Sequence, residues 1–208
     1  MKILVIAPHP DDEAIGCGGV LCRHAGAGDQ IAAVFLTSGE LGLKRLPREE
    51  AWGIREGEAR GAAEILGIGS LTFLRLPDWL VGEDVAAAAS ALRPVLAQEK
   101  PDLIYLPHPE DGHPDHRAAL PVLRAALADL DGLAPRLLSY EIWTPLSRHD
   151  QVHDITAVMA RKLRALRAHR SQLDEFDYVR AVNGLNAFRG ALAGKCRYAE
   201  VFQSLSPV

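Results

Sequence analysis

The sequence predicts an α/β fold, with a Rossmann-like, doubly wound and mostly parallel sheet, helices on both faces and a mainly helical C-terminal extension. The first observation is that short apolar runs alternate with longer amphipathic stretches along most of the chain. The second is that 48% of the 208 residues are hydrophobic, which is enough to cover both faces of a sheet. The third is the length, which favours one domain spanning residues 1–208.

The predicted strands are apolar runs of strand length that end at polar residues or at proline. Residues 2–7 form a continuous aliphatic run, which is typical of a strand buried on both faces. Similar runs predict further strands at residues 30–36, 71–76, 102–106 and 137–143. Because these runs alternate with helix candidates, we expect most of the strands to be parallel.

The helix candidates lie between these runs and dominate the chain after Thr156. Residues 48–66 carry alternating charges and are followed by Gly67, which is a helix stop signal. The other candidates are residues 16–27, 85–98, 115–130, 158–169 and 178–192. Pro94 lies inside one of them, and we expect that helix to kink or to begin late.

Composition and charge argue against several classes of protein. With 23 Lys and Arg against 27 Asp and Glu, the net charge is −4, which disfavours non-specific binding of nucleic acid. The three cysteines leave one unpaired, which argues against a disulfide framework. No apolar run approaches the length of about 18 residues that a membrane span needs, and residues 2–7 are too short for a signal peptide. We therefore expect a cytoplasmic protein without nucleic-acid or membrane partners.

Several residue groups have plain structural interpretations. The basic run at residues 161–167 is interpreted as a solvated face or as a subunit contact, which leaves a homo-oligomer open. The glycines at positions 16, 18 and 19 lack the third glycine of a dinucleotide-binding loop, because residue 21 is leucine. The isolated histidines are interpreted as surface or core residues; they are His24, His149, His153 and His169.

A polar cluster follows the first predicted strand and consists of Pro8, His9, Pro10, Asp11, Asp12 and Glu13. Ligands of open α/β sheets bind at the carboxyl ends of strands, which is where this cluster lies. His9 and Asp12 can converge on one ion if the segment turns tightly. The alternative is a solvated turn in which an aspartate caps the following helix.

A second cluster, His113-Pro114-Asp115-His116, follows the strand predicted at residues 102–106. The predicted topology brings both clusters to the same edge of the sheet. His9, Asp12 and either His116 or His113 then offer three ligands with an open fourth position, as in catalytic zinc sites. Two histidines and one carboxylate also suit ferrous iron, so an iron oxygenase is an alternative on ligand count.

The two clusters resemble the motifs of the LmbE-like, or PIG-L, family of zinc-dependent N-deacetylases. The strongest resemblance lies in residues 8–13, in the glycines at positions 16, 18 and 19, and in residues 113–116. It extends to residues 37–40, 55–58, 62–67, 76–78, 171–172 and 197–200, and so covers most of the chain. The resemblance implies an enzyme that hydrolyses the N-acetyl amide of an N-acetylglucosamine-type amino sugar and releases acetate.

Position by position, the resemblance implies a role for each residue of the clusters. His9, Asp12 and His116 would bind the metal, which would be Zn²⁺, with Fe²⁺ in vivo as the alternative. Asp11 would be the general base. His113 would stabilise the oxyanion or protonate the leaving amine.

The resemblance also implies supporting roles for other polar residues. Asp115 would orient and polarise His113. Arg55 and Asp78 match positions that contact substrate, and Arg55 would pair with an anionic group of the aglycone. A mycothiol-type enzyme has a tyrosine where this sequence has Asp111, which implies a more acidic pocket and disfavours the mycothiol precursor as substrate. Asp78 and Asp111 would accept hydrogen bonds from sugar hydroxyls.

Two alternatives to an amino-sugar deacetylase stay open from the sequence. One is hydrolysis of another N-acyl or carbamoyl group on the same scaffold. The other is an α/β module that binds a small molecule without catalysis. A metal in the purified protein would favour the enzyme over the binding module. The sequence also favours the enzyme, because it offers a candidate for each ligand, for the base and for the acid.

Overall fold

The computed structural model describes residues 1–206, which form one mixed sheet with helices on both faces. The strands are β1 (Lys2–Ala7), β2 (Gln30–Thr37), β3 (Ser70–Leu76), β4 (Leu103–Pro107), β5 (Arg136–Tyr140), β6 (Gln151–Asp154) and β7 (Ala199–Leu205). The α-helices are α1 (Asp12–Gly26), α2 (Arg48–Leu66), α3 (Val85–Glu99), α4 (Pro114–Leu127), α5 (Met159–Leu166), α6 (Arg170–Leu173) and α7 (Tyr178–Arg189). Short 3₁₀ turns span Glu40–Leu43 and Val81–Asp84, and a π-helical turn spans Gly190–Gly194.

The strand order of the sheet is β3-β2-β1-β4-β5-β7-β6. The first five strands in this order are parallel, and β7 pairs antiparallel with both β5 and β6. The chain proceeds from β1 outwards to β3 and then returns to β4 on the other side of β1. This order confirms the predicted Rossmann-like, doubly wound α/β fold.

The two faces of the sheet have separate hydrophobic cores, which follow the two-residue period of the strands. Ile3 and Val5 of β1 point to a core shared with α1, α2 and α5. Leu4 and Ile6 point to the opposite core, which contains residues of α3 and α4. All four side chains are at most 2% exposed, as the aliphatic run predicts for a central parallel strand.

Two predicted helices differ from the observed ones in ways that have physical reasons. Helix α1 begins at Asp12 rather than at residue 16, because the acidic residues of the first cluster form its first turn. Helix α3 begins at Val85 and continues through Pro94, so the predicted late start is wrong. The carbonyl that loses its amide partner there belongs to Ser90, which lies on an exposed face where water can replace it.

The C-terminal extension is only partly helical. Helices α5 and α7 confirm the predicted helices, but the sequence predicted neither of the strands β6 and β7. Strand β6 has only four residues, and β7 joins the sheet next to β5, which precedes it by about 60 positions in sequence. A local apolar pattern contains little information about such a distant antiparallel partner.

The basic run at residues 161–167 is not a uniformly solvated face. Lys162 is fully buried, and its Nζ donates to Glu200 Oε1 at 2.6 Å. The same carboxylate accepts the amide hydrogens of Gly19 and Val20 at 2.7 Å each. Glu200 therefore ties the last strand to the middle of α1 and to α5, and its charge is balanced inside the core.

The sequence predicted neither a membrane span nor a disulfide framework. No helix within residues 1–206 is long and apolar enough to cross a membrane. The three cysteines, all within the described part of the chain, form no disulfide.

We predict that Gly16→Ala destabilises the fold. A Cβ at position 16 would lie 2.1 Å from Cδ2 of the buried Tyr140 on β5, so α1 would have to move away from the sheet. The expected loss is about 1–3 kcal/mol of unfolding free energy, measured by urea denaturation. The control is Gly57→Ala, also inside a helix but with open space around it, which should be neutral or stabilising by up to about 1 kcal/mol. An unchanged stability of Gly16→Ala would contradict the packing argument.

Candidate active site

The two polar clusters meet at one edge of the sheet. Strands β1 and β4 are neighbours at the point where the strand order reverses, and the clusters follow Ala7 and Pro107 at their carboxyl ends. The segment after β1 turns directly into α1, and the segment after β4 leads into α4. Ligands of doubly wound sheets bind at this position because two loops diverge there and leave a crevice.

Three side-chain atoms at this edge form a triangle with equal sides. His9 Nδ1, Asp12 Oδ2 and His116 Nε2 are each 3.3 Å from the other two. Tetrahedral zinc with bonds of about 2.0–2.1 Å requires its ligand atoms to lie about 3.3 Å apart. The donor atoms are two imidazole nitrogens and one carboxylate oxygen, which zinc accepts. The residues present therefore fit a three-ligand zinc site with an open fourth position.

The other ring nitrogen of each histidine is bonded to a carboxylate. His116 Nδ1 lies 2.7 Å from Asp111 Oδ1, and His9 Nε2 lies 3.1 Å from oxygens of both Asp78 and Asp115. Metal-binding histidines almost always donate this second N–H to a carboxylate or carbonyl, which fixes the tautomer and the ring orientation. When its outer nitrogen carries this N–H, a neutral ring presents the lone pair of its inner nitrogen to the centre of the triangle.

The charge of the site also calls for a cation. Five carboxylates here are each at most 6% exposed; they are Asp11, Asp12, Asp78, Asp111 and Asp115. Burial alone lowers the pKa of His9, yet its hydrogen bonds to neighbouring carboxylates raise that pKa well above the usual value. An excess of buried negative charge is costly unless it is paired, and a divalent ion pairs several carboxylates at once.

Asp11 occupies the N-cap position of α1 without capping it. Its side chain makes no cap hydrogen bond, so the alternative of a simple capped turn is wrong for this residue. Its Oδ2 lies 3.3 Å from Nη2 of Arg55. Burial raises the pKa of Asp11 to about 6, although the Arg55 charge opposes that shift. The carboxylate lines a cavity beside the triangle.

Arg55 has several hydrogen-bond partners inside the protein. It is 3% exposed, its Nη1 donates to the Gly39 carbonyl at 2.9 Å, and its Nη2 donates to the Pro10 carbonyl at 2.5 Å. A Cβ at Gly39, whose φ is +62°, would lie 2.4 Å from Nη1. These contacts make Arg55 a brace for the segment that contains Asp11. Arg55 also lines the cavity, and its pairing with an anionic group of the substrate stays a prediction.

Asp111 uses both oxygens within the protein, which corrects the prediction that it accepts sugar hydroxyls. Oδ1 accepts from the His113 amide at 3.0 Å in addition to its bond with His116. Oδ2 accepts from the amides of Trp143 and Thr144, each at 3.0 Å. The aspartate at this position therefore orients one histidine ring and holds the loop after β5.

The resemblance implied that Asp115 orients His113, but the Asp115 carboxylate contacts other groups. Its oxygens contact His9 and accept the amides of Trp79 at 2.8 Å and Val81 at 3.1 Å. Only the backbone contacts His113: the Asp115 amide donates to His113 Nδ1 at 3.2 Å. Neutral His113 therefore carries its proton on Nε2. Burial and the charges of neighbouring histidines lower the pKa of His113 to about 4.

A cavity of about 220 Å³ opens above the triangle. Trp79 and Trp143 are about half exposed, and their rings lie 4.4 and 5.0 Å from the His113 ring, centroid to centroid. Asp78 also lines the cavity, but its Oδ2 accepts from the Leu41 amide at 2.9 Å. The C-terminal extension supplies one wall with Gln172, Glu175, Phe176 and Tyr178. Of the four residues in this C-terminal wall, the sequence identified only Gln172, through the family resemblance.

Comparison with known proteins agrees with the motifs. The sequence profile of the PIG-L family, described as GlcNAc-PI de-N-acetylase, matches residues 4–127. The chain belongs to the PIG-L family. The matched region contains both polar clusters, so the family prediction is confirmed on the residues that suggested it.

Relatives of this PIG-L protein include two curated deacetylases. A diacetylchitobiose deacetylase from Thermococcus kodakarensis is 31% identical, over 84% of this chain and 71% of its own length. A probable N-acetyl-α-D-glucosaminyl L-malate deacetylase 2 from Bacillus cereus is 33% identical, over 83% of this chain and 84% of its own length. A solved structure of GalB, the 4-carboxy-2-hydroxymuconate hydratase of Pseudomonas putida KT2440, is 25% identical, with a TM-score of 0.82 over 100% of this chain and 98% of its own.

We predict that the purified PIG-L protein binds one divalent ion, and that His116→Ala abolishes this binding because it removes one corner of the triangle. Asp111→Ala should weaken binding by about 10- to 100-fold, since it frees the His116 ring. The measurement is metal analysis by mass spectrometry, followed by competition with a chelator. The control is Asp129→Ala, an exposed aspartate that should leave affinity unchanged. Full occupancy in His116→Ala would exclude that ligand.

Proposed function

We propose that this PIG-L family member hydrolyses the N-acetyl amide of an amino sugar of the N-acetylglucosamine type, releasing acetate and a free amine. The observation that supports this most strongly is the triangle of His9, Asp12 and His116, with Asp11 beside it in one cavity. The two curated relatives are named as deacetylases of N-acetylglucosamine-type compounds, which supports the same substrate class.

The metal ligands in this proposal are His9, Asp12 and His116, and the metal is zinc, with ferrous iron in vivo as the alternative. When bound, zinc supplies a Lewis acid that polarises the acetamide carbonyl and lowers the pKa of a water to about 7. Asp111 and Asp115 hold the two histidine rings in register for this purpose. The open side of the triangle faces the cavity that would receive the acetamide.

Asp11 and His113 perform the proton chemistry in this proposal. Asp11 accepts the proton of the attacking water, and its place in the cavity gives its carboxylate access to that water. His113 donates from Nε2 to the carbonyl oxygen as negative charge builds on it, since Nδ1 is already an acceptor. The protonated Asp11 then returns this proton to the leaving amine as the C–N bond breaks.

The cavity walls support a sugar as the substrate. Trp79 and Trp143 present aromatic faces at the mouth, and the apolar face of a pyranose ring packs well against such surfaces. The buried carboxylates below disfavour a negative charge close to the scissile amide. Lys44 is an exposed cation at the rim, so an anionic aglycone would fit best on its side of the mouth.

A second candidate is the hydration of an unsaturated carboxylic acid. The observation that favours it is the fold likeness to GalB, which is named as a hydratase and matches the whole chain. Water addition also needs a base and an activated water, so the same residues would serve. The curated relatives favour amide hydrolysis as the main proposal.

We predict that Asp11→Asn keeps its metal and loses about 10²- to 10⁴-fold in kcat, because a missing base slows the reaction without removing a ligand. The measurement combines metal analysis with acetate release under saturating substrate. If Asp11→Asn loses the metal instead, the roles of Asp11 and Asp12 are exchanged.

We predict that His113→Ala lowers kcat by about 10²- to 10³-fold while KM changes little, because its donor acts mainly on the transition state. Steady-state kinetics on the best substrate give both constants. Metal content should stay at the wild-type level. An unchanged kcat would remove His113 from the mechanism.

The substrate is tested by acetate release from a panel of N-acetylated sugars. The panel contains N-acetylglucosamine, its 1-phosphate, its malate and inositol glycosides, and diacetylchitobiose, with N-acetyl amino acids, carbamates and an unsaturated dicarboxylic acid as comparison arms. We expect acetate from at least one amino sugar, loss of activity after metal depletion, and recovery with zinc. Activity confined to the comparison arms would overturn the amino-sugar proposal.

A further inference from the structure

A buried pair, Glu13 and His169, lies directly behind Asp11. Glu13 is 1% exposed and His169 is fully buried. Glu13 Oε1 lies 3.2 Å from His169 Nε2, although the two residues are 156 positions apart. Neither side chain lines the cavity, so neither can touch a substrate there. The proposed reaction gives this pair no role.

The backbone of Asp11 has a conformation that aspartate rarely adopts. Its φ is 136° and its ψ is −25°. The other non-glycine residues with positive φ within residues 1–206 have values between 46° and 70°, in the left-handed helical region. Strained backbone of this kind persists only where surrounding contacts over-determine it, and it concentrates at functional sites.

Glu13 supplies the side-chain contact that restrains this backbone. Its Oε2 accepts the Asp11 amide hydrogen at 3.1 Å. On the other side of the residue, the Asp11 carbonyl accepts from the amides of Ala14 and Ile15 at 3.0 and 2.9 Å, as part of the helix start. Asp11 is thus held at both its amide and its carbonyl, while its carboxylate makes no cap bond and stays in the cavity.

His169 fixes Glu13 from the C-terminal extension. It occupies the N-cap position of α6, and its Nε2 donates to the Glu13 oxygen that does not contact Asp11. Each oxygen of the Glu13 carboxylate therefore has its own donor, which leaves the side chain one orientation. Two successive hydrogen bonds connect α6 to the amide of Asp11.

We propose that Glu13 and His169 are positioning residues that hold Asp11 in the backbone conformation from which its carboxylate reaches the attacking water. This inference rests on the proposed role of Asp11 as the base. A carboxylate displaced by about 1 Å can lose about 10²-fold in rate, so a restraint on φ has a direct kinetic consequence. The metal ligands have other supports, and the restraint should matter little for metal binding.

The test compares His169→Ala and Glu13→Leu with wild type. Glu13→Leu keeps a side chain of similar size but has no acceptor, so both the Asp11 amide and His169 Nε2 lose their partner. Both variants should keep full metal content and a KM within about threefold, while kcat falls by about 10- to 100-fold. His169→Gln places an amide donor near the position of Nε2 and should recover most of the lost kcat.

Asn186→Ala is the matched control for a lost buried hydrogen bond in the extension. Asn186 is 4% exposed, and its Nδ2 donates to the Ala199 carbonyl at 3.1 Å, away from the cavity. Its kcat should equal that of wild type. Loss of metal in His169→Ala, or a wild-type kcat in that variant, would overturn the positioning role.

A crystal structure of His169→Gln and of His169→Ala gives a readout that does not depend on turnover. We expect Asp11 to leave its φ of 136° in the alanine variant and to keep it in the glutamine variant. An unchanged Asp11 in His169→Ala would overturn the inference. If the wild-type protein hydrolyses no amino sugar, the proposed function fails, and these structures still decide whether the pair restrains Asp11.

Discussion

Two buried carboxylates, Asp111 and Asp115, fix the histidine rings of the site, and the surrounding loops depend on the same two groups. Asp111 bonds the outer nitrogen of His116 and also holds the loop after β5 through two amides. Asp115 contacts the outer nitrogen of His9 and holds the loop after β3 through two more. A change at either carboxylate would therefore alter ring orientation and cavity wall together, because one group serves both.

This arrangement concentrates negative charge that the fold must balance. Arg55 is the buried cation closest to Asp11, and it is held by carbonyls of the loops that precede α1 and follow β2. The carboxylates raise the pKa of His9 although burial opposes that shift, which shows how strongly the cluster attracts positive charge. Buried clusters of like charge reduce stability, and proteins retain them where a bound ion or a reaction requires them.

The C-terminal extension belongs to the site as much as to the sheet. Through Glu200 it binds the middle of α1, and through His169 it contacts the first turn of the same helix. It also forms one wall of the cavity, with residues 172–178. Helix α1 is therefore held along its length by segments that are more than 150 residues away, which gives Asp12, the proposed metal ligand, and the neighbouring Asp11 a rigid support.

Local signals are enough to predict the fold class, the helix at residues 48–66 and the two polar clusters. The signals are side-chain periodicity, helix stop signals and polar residues after strands, and all of them are short-range features of the sequence. The family motifs add the three candidate ligands. No such signal exists for several features of the folded chain. These are the partners of Arg55, Asp111 and Asp115, the strand β7, and the contact of His169 with Glu13. They depend on which donors and acceptors the folded chain brings within hydrogen-bond distance. Hydrogen bonds between distant segments leave no periodic trace in the sequence.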